Sequence, residues 1–158
     1  MQVGREKKEK KETKSKEVEK SKAKEVLVVS GKRKCAIARA TIKPGEGIIK
    51  INNIPLEIFD IYRRLQIEEP LRIAQSVIGP ELKGVDIAVN VKGGGIQGQT
   101  EAARLAIARA LVAFTKSKEL EKAFLSYSRS LVDADVRRKE MRKPRDSKAR
   151  AKRQKSYR

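Results

Sequence analysis

Residues 85–100 read VDIAVNVKGGGIQGQT and join a strand, a glycine loop and the beginning of a helix. The apolar residues from Val85 to Val91 alternate with polar or small ones, which predicts a strand with one buried face. After the loop, a long helix is predicted to run to about residue 116. One arc of its helical wheel is apolar and rich in alanine, so we expect it to pack closely against a sheet. That arc contains Ala103, Ala106, Ile107, Ala110 and Phe114.

The glycine loop matches two nucleotide-binding patterns but lacks the chemistry of either. Gly93, Gly95 and Gly98 fit G-x-G-x-x-G, and the same run resembles a phosphate-binding P-loop. The P-loop needs a lysine at the position of Gln99. A dinucleotide site needs a parallel strand after the helix, and here a second helix is predicted instead. We therefore predict no nucleotide cofactor.

Two interpretations of this loop stay open. Lys92 precedes it and Arg104 lies one turn into the helix, so the loop and the helix N-terminus can form a site for a phosphate backbone. The alternative is a tight turn between strand and helix that binds nothing.

Upstream, alternating apolar residues predict three further strands. Val26–Ser30 is predicted to be a short strand that ends at Gly31, and Cys35–Lys43 a strand with one wet face. Ile48–Asn52 is predicted to return as the hairpin partner of Cys35–Lys43, across the turn at 44–47.

Three other helices complete the predicted domain. One helix is expected to begin at Pro55 and another at Pro70, and the last helix is expected to cover about residues 119–129. The fold class is therefore α+β: a two-layer domain in which helices pack on a four-stranded mixed sheet.

Composition favours a nucleic-acid-binding function over catalysis. The net charge is +19 and the pI about 10.3, and a pI above about 9 is typical of nucleic-acid binders. The chain has no histidine, so imidazole bases, His-metal sites and Ser-His-Asp triads are excluded. The carboxylates of Glu68 and Glu69 have no partner motif, and we expect no enzyme, metal or cofactor.

Cysteine content and hydropathy predict the compartment. Cys35 is the only cysteine, which excludes an internal disulfide or a multi-cysteine zinc cluster and fits a reducing cytosol. We expect Cys35 to serve packing rather than reactivity. We find no apolar run of membrane-spanning length and no apolar signal core, and we expect neither membrane binding nor a homo-oligomer.

Charge divides the chain into three parts: an N-terminal arm at 1–25, a domain at 26–132 and a C-terminal tail at 133–158. The arm alternates lysine and glutamate with few apolar residues, so we expect a solvated segment with weak affinity for RNA. Residues 136–158 contain twelve lysines and arginines against Glu140 and Asp146. Such a segment buries too little to fold unaided and is expected to order on a polyanion.

A second basic cluster is Gly31–Lys34, predicted to lie in a loop between two strands. Taken by itself it could be a solvated surface. Arg39 and Lys43 extend the positive charge along the next strand, which favours a binding face.

Four segments together resemble small-subunit ribosomal protein nine of the archaeal and eukaryotic branch. They are GKRK at 31–34, VKGGGIQGQ at 91–99, AIARAL at 106–111 and QKSYR at 154–158. The resemblance covers roughly residues 26–158, and the long arm favours an archaeal member. The chain departs from the family at Asp135-Val136-Arg137, where the family usually has Asp-Pro-Arg, and at 143–147, which replaces a glycine-rich segment.

The resemblance implies a ribosomal-protein fold with a left-handed β-α-β crossover, seated on the head of the small subunit in the cytoplasm. It implies three partners: rRNA, P-site tRNA and neighbouring head proteins. With Arg39 added from the basic stripe, the expected rRNA-binding residues of the domain are Lys32, Arg33, Lys34, Arg39, Lys92, Gly94, Gly95 and Arg104.

The tail is expected to consist of two segments. Its stem would bind rRNA through Arg137, Arg138, Lys148, Arg150, Lys152 and Arg153. Its tip would reach the anticodon stem-loop of P-site tRNA through Lys155, Ser156, Tyr157 and Arg158. Tyr157 can stack on a base or ribose, or can pack along the backbone groove. Charge does not distinguish RNA from DNA, so a free-standing nucleic-acid-packaging protein remains the alternative.

Overall fold

A computed structural model describes residues 26–144 and 148–150, and these form one mixed β-sheet with three α-helices on one face. The strands are β1 Leu27–Arg33, β2 Ala36–Pro44, β3 Ile49–Ile51, β4 Ile54–Pro55 and β5 Val85–Lys92. The helices are α1 Ile61–Ile78, α2 Ile96–Thr115 and α3 Lys118–Tyr127. Short 3₁₀ turns cover Leu56–Ile58, Gly79–Gly84 and Arg129–Leu131. The predicted α+β class and the long helix after the glycine loop are confirmed.

The sheet has the order β1-β2-β5-β3-β4. Neighbouring strands are antiparallel except for β3 and β5, which run parallel and are connected through α1. This connection is the β-α-β unit that the resemblance implies. The predicted count of four strands was low by one, because β4 has only two residues and gives no alternation to recognise.

The predicted hairpin between β2 and β3 was wrong. β2 pairs along its length with β5, whereas β3 pairs with the other edge of β5. The turn that leads from β2 to β3 is therefore held by β5: Gly45 N–H donates to Gly84 O at 2.8 Å, and Asp86 accepts bonds from the next residues. Alternation indicates which face of a strand is buried but carries no information about its partner.

Asn52 continues the β3–β5 ladder after β3 has ended. Its main-chain N–H donates to Val89 O at 2.8 Å, and its side-chain amide bonds both Val91 N (2.8 Å) and Val91 O (3.2 Å). The residue has a left-handed φ of 50°, which asparagine tolerates better than most residues. The side chain thus replaces the next peptide group of a strand.

β1 runs through Gly31 rather than ending there. Gly31 lies against α2, and a Cβ at this position would be 2.4 Å from Ala102 O and 2.7 Å from Ala106 N. Glycine in this strand permits close approach of sheet and helix. The turn between β1 and β2 is consequently only Lys34-Cys35, with Lys34 in the left-handed region at φ 52°.

α1 is one helix, although two were predicted. Pro70 lies in its interior, and its ring is buried on the same stripe as Ile67 and Ala74. An internal proline removes one helical hydrogen bond. Burial of this stripe in the core favours continuation of the helix past Pro70. The segment at Pro55 forms only a 3₁₀ turn before α1 begins.

The core lies between the helices and the inward residues of the sheet. Ala36, Ala38 and Ala40 of β2 are fully buried beneath α2. Ala106 and Ala110 of α2 are also fully buried. α3 follows directly, with Ser117 as its N-cap accepting from Leu120 N. α3 is two residues shorter at its end than predicted, and a 3₁₀ turn then brings Leu131 into the core.

Candidate nucleic-acid interface

No part of the chain that the structure describes covers the face of the sheet opposite the helices, and we call it the open face. Strand residues alternate strictly between this face and the core. The register places Ile37 between Lys32 and Lys92, and Arg39 between Ser30 and Asn90. The cations of the open face are Lys32, Arg39, Lys43, Lys50 and Lys92. Because they come from four adjacent strands, they form a two-dimensional array.

One carboxylate, Asp86, shares the open face among the described strand residues, and it is already engaged. Its Oδ1 accepts hydrogen bonds from the backbone N–H groups of Glu46 (2.9 Å), Gly47 (3.1 Å) and Ile48 (3.0 Å). These bonds, that from Ile48 most of all, hold the pKa of Asp86 below its ordinary value, while desolvation acts in the opposite direction. Lys43 Nζ lies 3.9 Å from Asp86 Oδ2. The remaining cations of the face are left to interact with an external anion.

The glycine loop lies at one end of the open face, beside Lys34 and Lys92. Gly93 and Gly94 have left-handed φ values of 75° and 70°, and a Cβ on Gly94 would be 3.0 Å from Ala36 N. These two glycines are needed by the turn itself. Gly95 differs: its backbone is extended, and a Cβ there would meet nothing within 4 Å. It precedes the free N–H groups of the first turn of α2, a favourable place for a phosphate.

The structure does not place Arg33 and Arg104 with these groups. Arg33 points to the helix side of the sheet and contacts both Glu101 and Asp135. Arg104 Nε lies 2.8 Å from Glu69 Oε2, and its side chain is mostly buried. Sequence spacing grouped Arg33 with the basic cluster and Arg104 with the glycine loop, but strand alternation and the helical phase turn both away from the open face. Their assignment to rRNA stays a prediction, for which these ion pairs offer no support.

The first residues of the tail leave the domain after Leu131. Arg137 is exposed and paired with Asp135, its Nη2 2.8 Å from Oδ2, and Arg138 is exposed. Lys148 and Arg150 are exposed too, and Arg150 Nε donates to Glu140 Oε2 at 2.9 Å. The other predicted tail residues lie outside the described residues, as does the arm at 1–25: Lys152, Arg153, Lys155, Ser156, Tyr157 and Arg158.

Lys50 and Arg109 gain roles that sequence patterns did not predict. Alternation with the inward Ile49 and Ile51 places Lys50 on the open face, and pairing of β3 with β5 sets it next to Ala88. Arg109 lies outside the apolar arc of α2, and its guanidinium donates to Val132 O (2.6 Å) and Ser30 O (3.3 Å). Neither hydrogen bond of Arg109 can be predicted from local spacing, because Val132 and Ser30 are distant from it in sequence.

Residues 26–144 and 148–150 contain neither a metal-binding cluster nor a membrane-spanning helix. No cluster of three or more Asp, Glu, His or Cys side chains there is arranged to hold a metal ion. No helix of this part is long and apolar enough to cross a membrane. The unpaired cations of the open face and the glycine loop are thus the main candidate site of the described chain.

Comparison with known proteins gives one consistent result. A family model described as ribosomal protein S9/S16 matches residues 31–158. The small ribosomal subunit protein uS9 of Thermoplasma volcanium is 47% identical over 133 residues, which are 84% of this chain and 98% of the relative. The protein of the same name from Pyrobaculum aerophilum is 48% identical over 134 residues, 84% of this chain and 92% of the relative. This chain therefore belongs to the ribosomal protein S9/S16 family, in its archaeal type.

Proposed function

We propose that this chain binds rRNA in the head of the small ribosomal subunit through its open face and glycine loop, and extends its tail to the P site. As a member of a ribosomal protein family it is a structural component of the cytoplasmic ribosome and not an enzyme. Its relatives carry the name small ribosomal subunit protein, which supports the same subunit for this chain. Neighbouring head proteins would be its other partners.

The observation that carries the rRNA assignment is the charge of the open face. Five cations from four strands are presented on one surface, and the single described carboxylate among them is neutralised by backbone N–H groups and Lys43. Positive charge in such an array releases counterions from RNA when it meets phosphates. Asn90 and Thr41 add groups that can hydrogen-bond to phosphate or ribose hydroxyls.

The glycine loop adds groups that can bind phosphate at one end of the open face. Lys34 and Lys92 flank it, and Gly95 leaves open space in front of the first N–H groups of α2. A phosphate could approach these groups closely because no side chain intervenes. The loop therefore extends the open face rather than forming a separate nucleotide site.

The tail is proposed to follow RNA for its whole length. Ordering a chain costs on the order of 1–2 kcal/mol of backbone entropy per residue, so many phosphate contacts are required. The twelve cations of 136–158 supply them. By family resemblance, Lys155–Arg158 would contact the anticodon stem-loop of P-site tRNA, with Tyr157 stacking on a base or ribose.

A paired lysine comparison tests the open face. In the full chain, Lys50→Ala with Lys92→Ala removes two cations of this face, and Lys118→Ala with Lys122→Ala removes two exposed lysines of α3. The first pair should weaken binding to small-subunit rRNA and lower the salt dependence (log Kd against log salt) by about one unit per lysine. The α3 pair should change both quantities much less.

If the open-face variant and the α3 variant lowered rRNA affinity equally, net charge and not a defined surface would determine binding. That result would contradict the proposal. A second arm compares rRNA with duplex DNA of equal length at near-physiological salt. Equal affinity for the two would favour a general packaging protein over a ribosomal one.

A further inference from the structure

The root of the tail, residues 131–137, is fastened to the domain at successive points. Leu131 is fully buried, and Val132 O accepts the hydrogen bond from Arg109 Nε at 2.6 Å. Arg109 also reaches Ser30 O at 3.3 Å, so it joins α2, β1 and the tail root. Beyond this point Val136 is 89% exposed. The chain therefore passes from core to solvent within a few residues.

Asp135 is the last fastening point, and Arg33 holds it. The side chains of Arg33 and Asp135 are only 20% and 19% exposed, and the Arg33 guanidinium contacts Asp135 and Glu101 together. Asp135 also accepts from the backbone N–H of Arg137 at 2.7 Å and from its Nη2 at 2.8 Å. One carboxylate thus links the end of β1 to the first cation of the tail.

The surroundings of Arg33 do not suit a phosphate. The cleft beside it has a volume of about 240 Å³. Three carboxylates (Glu101, Asp133 and Asp135) line it together with the cations Lys32, Arg33, Arg104 and Arg137. A phosphate entering this cleft would meet these carboxylates as well as the arginines, and like charges at short range are strongly unfavourable. A guanidinium can instead bridge two carboxylates with its planar set of N–H donors.

We propose that Arg33 is a positioning residue: by bridging Glu101 and Asp135 it sets the direction in which the tail leaves the domain. The advantage is that the tail cations begin from a defined point and less chain entropy is lost on binding. That advantage rests on the proposed function, whereas the fastening itself can be measured in the free protein.

Spin labels on the full chain test the fastening directly. Cys35 is exposed in the turn between β1 and β2, so the predicted packing role was wrong. It is the only cysteine of the sequence, and Arg138→Cys adds a second labelling site just beyond Asp135. Double electron–electron resonance should give a narrow distance distribution in this background. Arg33→Ala should widen it markedly, because six residues of free coil between 132 and 138 have an r.m.s. end-to-end distance of about 12–15 Å. Asp135→Asn should widen it likewise.

Two controls test whether a wider distance distribution reflects lost positioning of the tail and not unfolding of the domain or the change in charge. A second label pair, Cys35 with Lys122→Cys, reports the domain and should stay narrow in every variant. Arg39→Ala makes the same charge change on the opposite face of the sheet and should leave the tail distribution narrow. If Arg33→Ala does not fold, Asp135→Asn still removes the same ion pair from the tail side.

RNA binding then distinguishes this inference from the proposed function. Arg39→Ala should weaken rRNA binding without widening the tail distribution; unchanged binding would count against the open face alone. Unchanged tail distributions in both Arg33→Ala and Asp135→Asn would overturn the positioning role, whatever the RNA affinities are. If Arg33 contacted phosphate directly, Arg33→Ala would weaken and Asp135→Asn would strengthen binding, with no widening in either variant.

Discussion

Asp86 shows how a single acidic residue can serve a basic surface. It lies on the open face, where a free carboxylate would repel RNA, yet three backbone N–H groups converge on its Oδ1. Gly45 has no side chain here because a Cβ would lie 2.1 Å from the Asp86 carboxylate. The residue closes the connection from β2 to β3 and leaves the neighbouring cations available. Charge on this surface is therefore arranged by hydrogen bonding as well as by composition.

We expect Asp86 to make part of the stability depend on pH. Its hydrogen bonds depress the pKa in the folded state below the ordinary value of 3.8, so its contribution is complete above that pH. The contribution is lost as the pH falls through the folded-state pKa. Asp86→Asn keeps a neutral acceptor but loses the charge-assisted bonds and does not titrate. Urea unfolding should show the variant less stable at pH 7, with a smaller difference at pH 3 and below.

The control for this experiment is Asp60→Asn, at the start of α1, where the carboxylate makes no capping hydrogen bond. It should change stability little across the same range. A difference between wild type and Asp86→Asn that stays constant from pH 7 to pH 2 would contradict the proposed charge-assisted role.

In the unit formed by β5, the glycine loop and α2, two adjacent glycines have different roles. One is required by the turn, and the other leaves the helix N-terminus open. Gly94 needs its left-handed backbone and touches Ala36, so it belongs to the packing of loop on sheet. Gly95 stands at the helix N-cap with open space before it. Sequence pattern alone allows either a bare turn or a phosphate site at the loop. The geometry supports the turn for Gly94 and leaves the phosphate site open at Gly95.

Substitutions in these two glycines should have opposite consequences. Gly94→Ala forces a side chain into a left-handed conformation and against Ala36, which should cost about 1–3 kcal/mol in the free energy of unfolding. Gly95→Ser is favourable at an N-cap and should change stability by less than about 0.5 kcal/mol. It should nevertheless weaken rRNA binding, because the new side chain occupies the approach to the helix N-terminus.

Denaturant unfolding and rRNA binding, measured on the same preparations, check both expectations. If Gly95→Ser binds rRNA as tightly as wild type, no phosphate approaches the backbone there. A Gly94→Ala variant of undiminished stability would show that the loop rearranges at little cost.

The chain divides its positive charge between the open face and the tail. The open face presents its cations as a two-dimensional array, whereas residues 136–158 contain twelve cations and are predicted to order only on a polyanion. A two-dimensional array suits one patch of folded RNA, and an extended tail would enter gaps that a domain cannot. The fastening at Arg33, Asp135 and Arg109 connects the two, so the domain determines where the extension begins.

Removal of residues 155–158 should separate the roles of domain and tip. The domain ends well before the deletion, so thermal unfolding and incorporation into small subunits should match wild type. Retention of P-site tRNA should weaken, because up to four contacts are lost, including a stacking residue worth about 1–3 kcal/mol. Filter binding of tRNA to purified subunits measures this.

A matched control replaces Lys148 and Arg150 by alanine, which removes the same number of cations from the stem as the deletion removes from the tip. It should weaken rRNA binding more than tRNA retention. Equal tRNA retention in deleted and wild-type subunits would contradict the assignment of the tip.

Local pattern was sufficient for the fold class, the buried face of each long strand, the α2 helix and the basic character of the surface. These properties depend on the period of apolar residues and on composition, and both can be read within a short window of chain. The family could be recognised from four short segments, since their combination is specific.

The partners of each strand and the surroundings of each charge depended on contacts between residues distant in sequence. Pairing of β5 with both β2 and β3 followed from the tertiary arrangement and placed Lys50 beyond β5 rather than beside β2. The continuity of α1 through Pro70 followed from burial of its apolar stripe, which outweighs a local preference. Arg33 and Arg39 are both arginines of a basic segment, but one meets two carboxylates and the other solvent. Sequence specified the charges, and long-range packing specified which of them remain free to bind RNA.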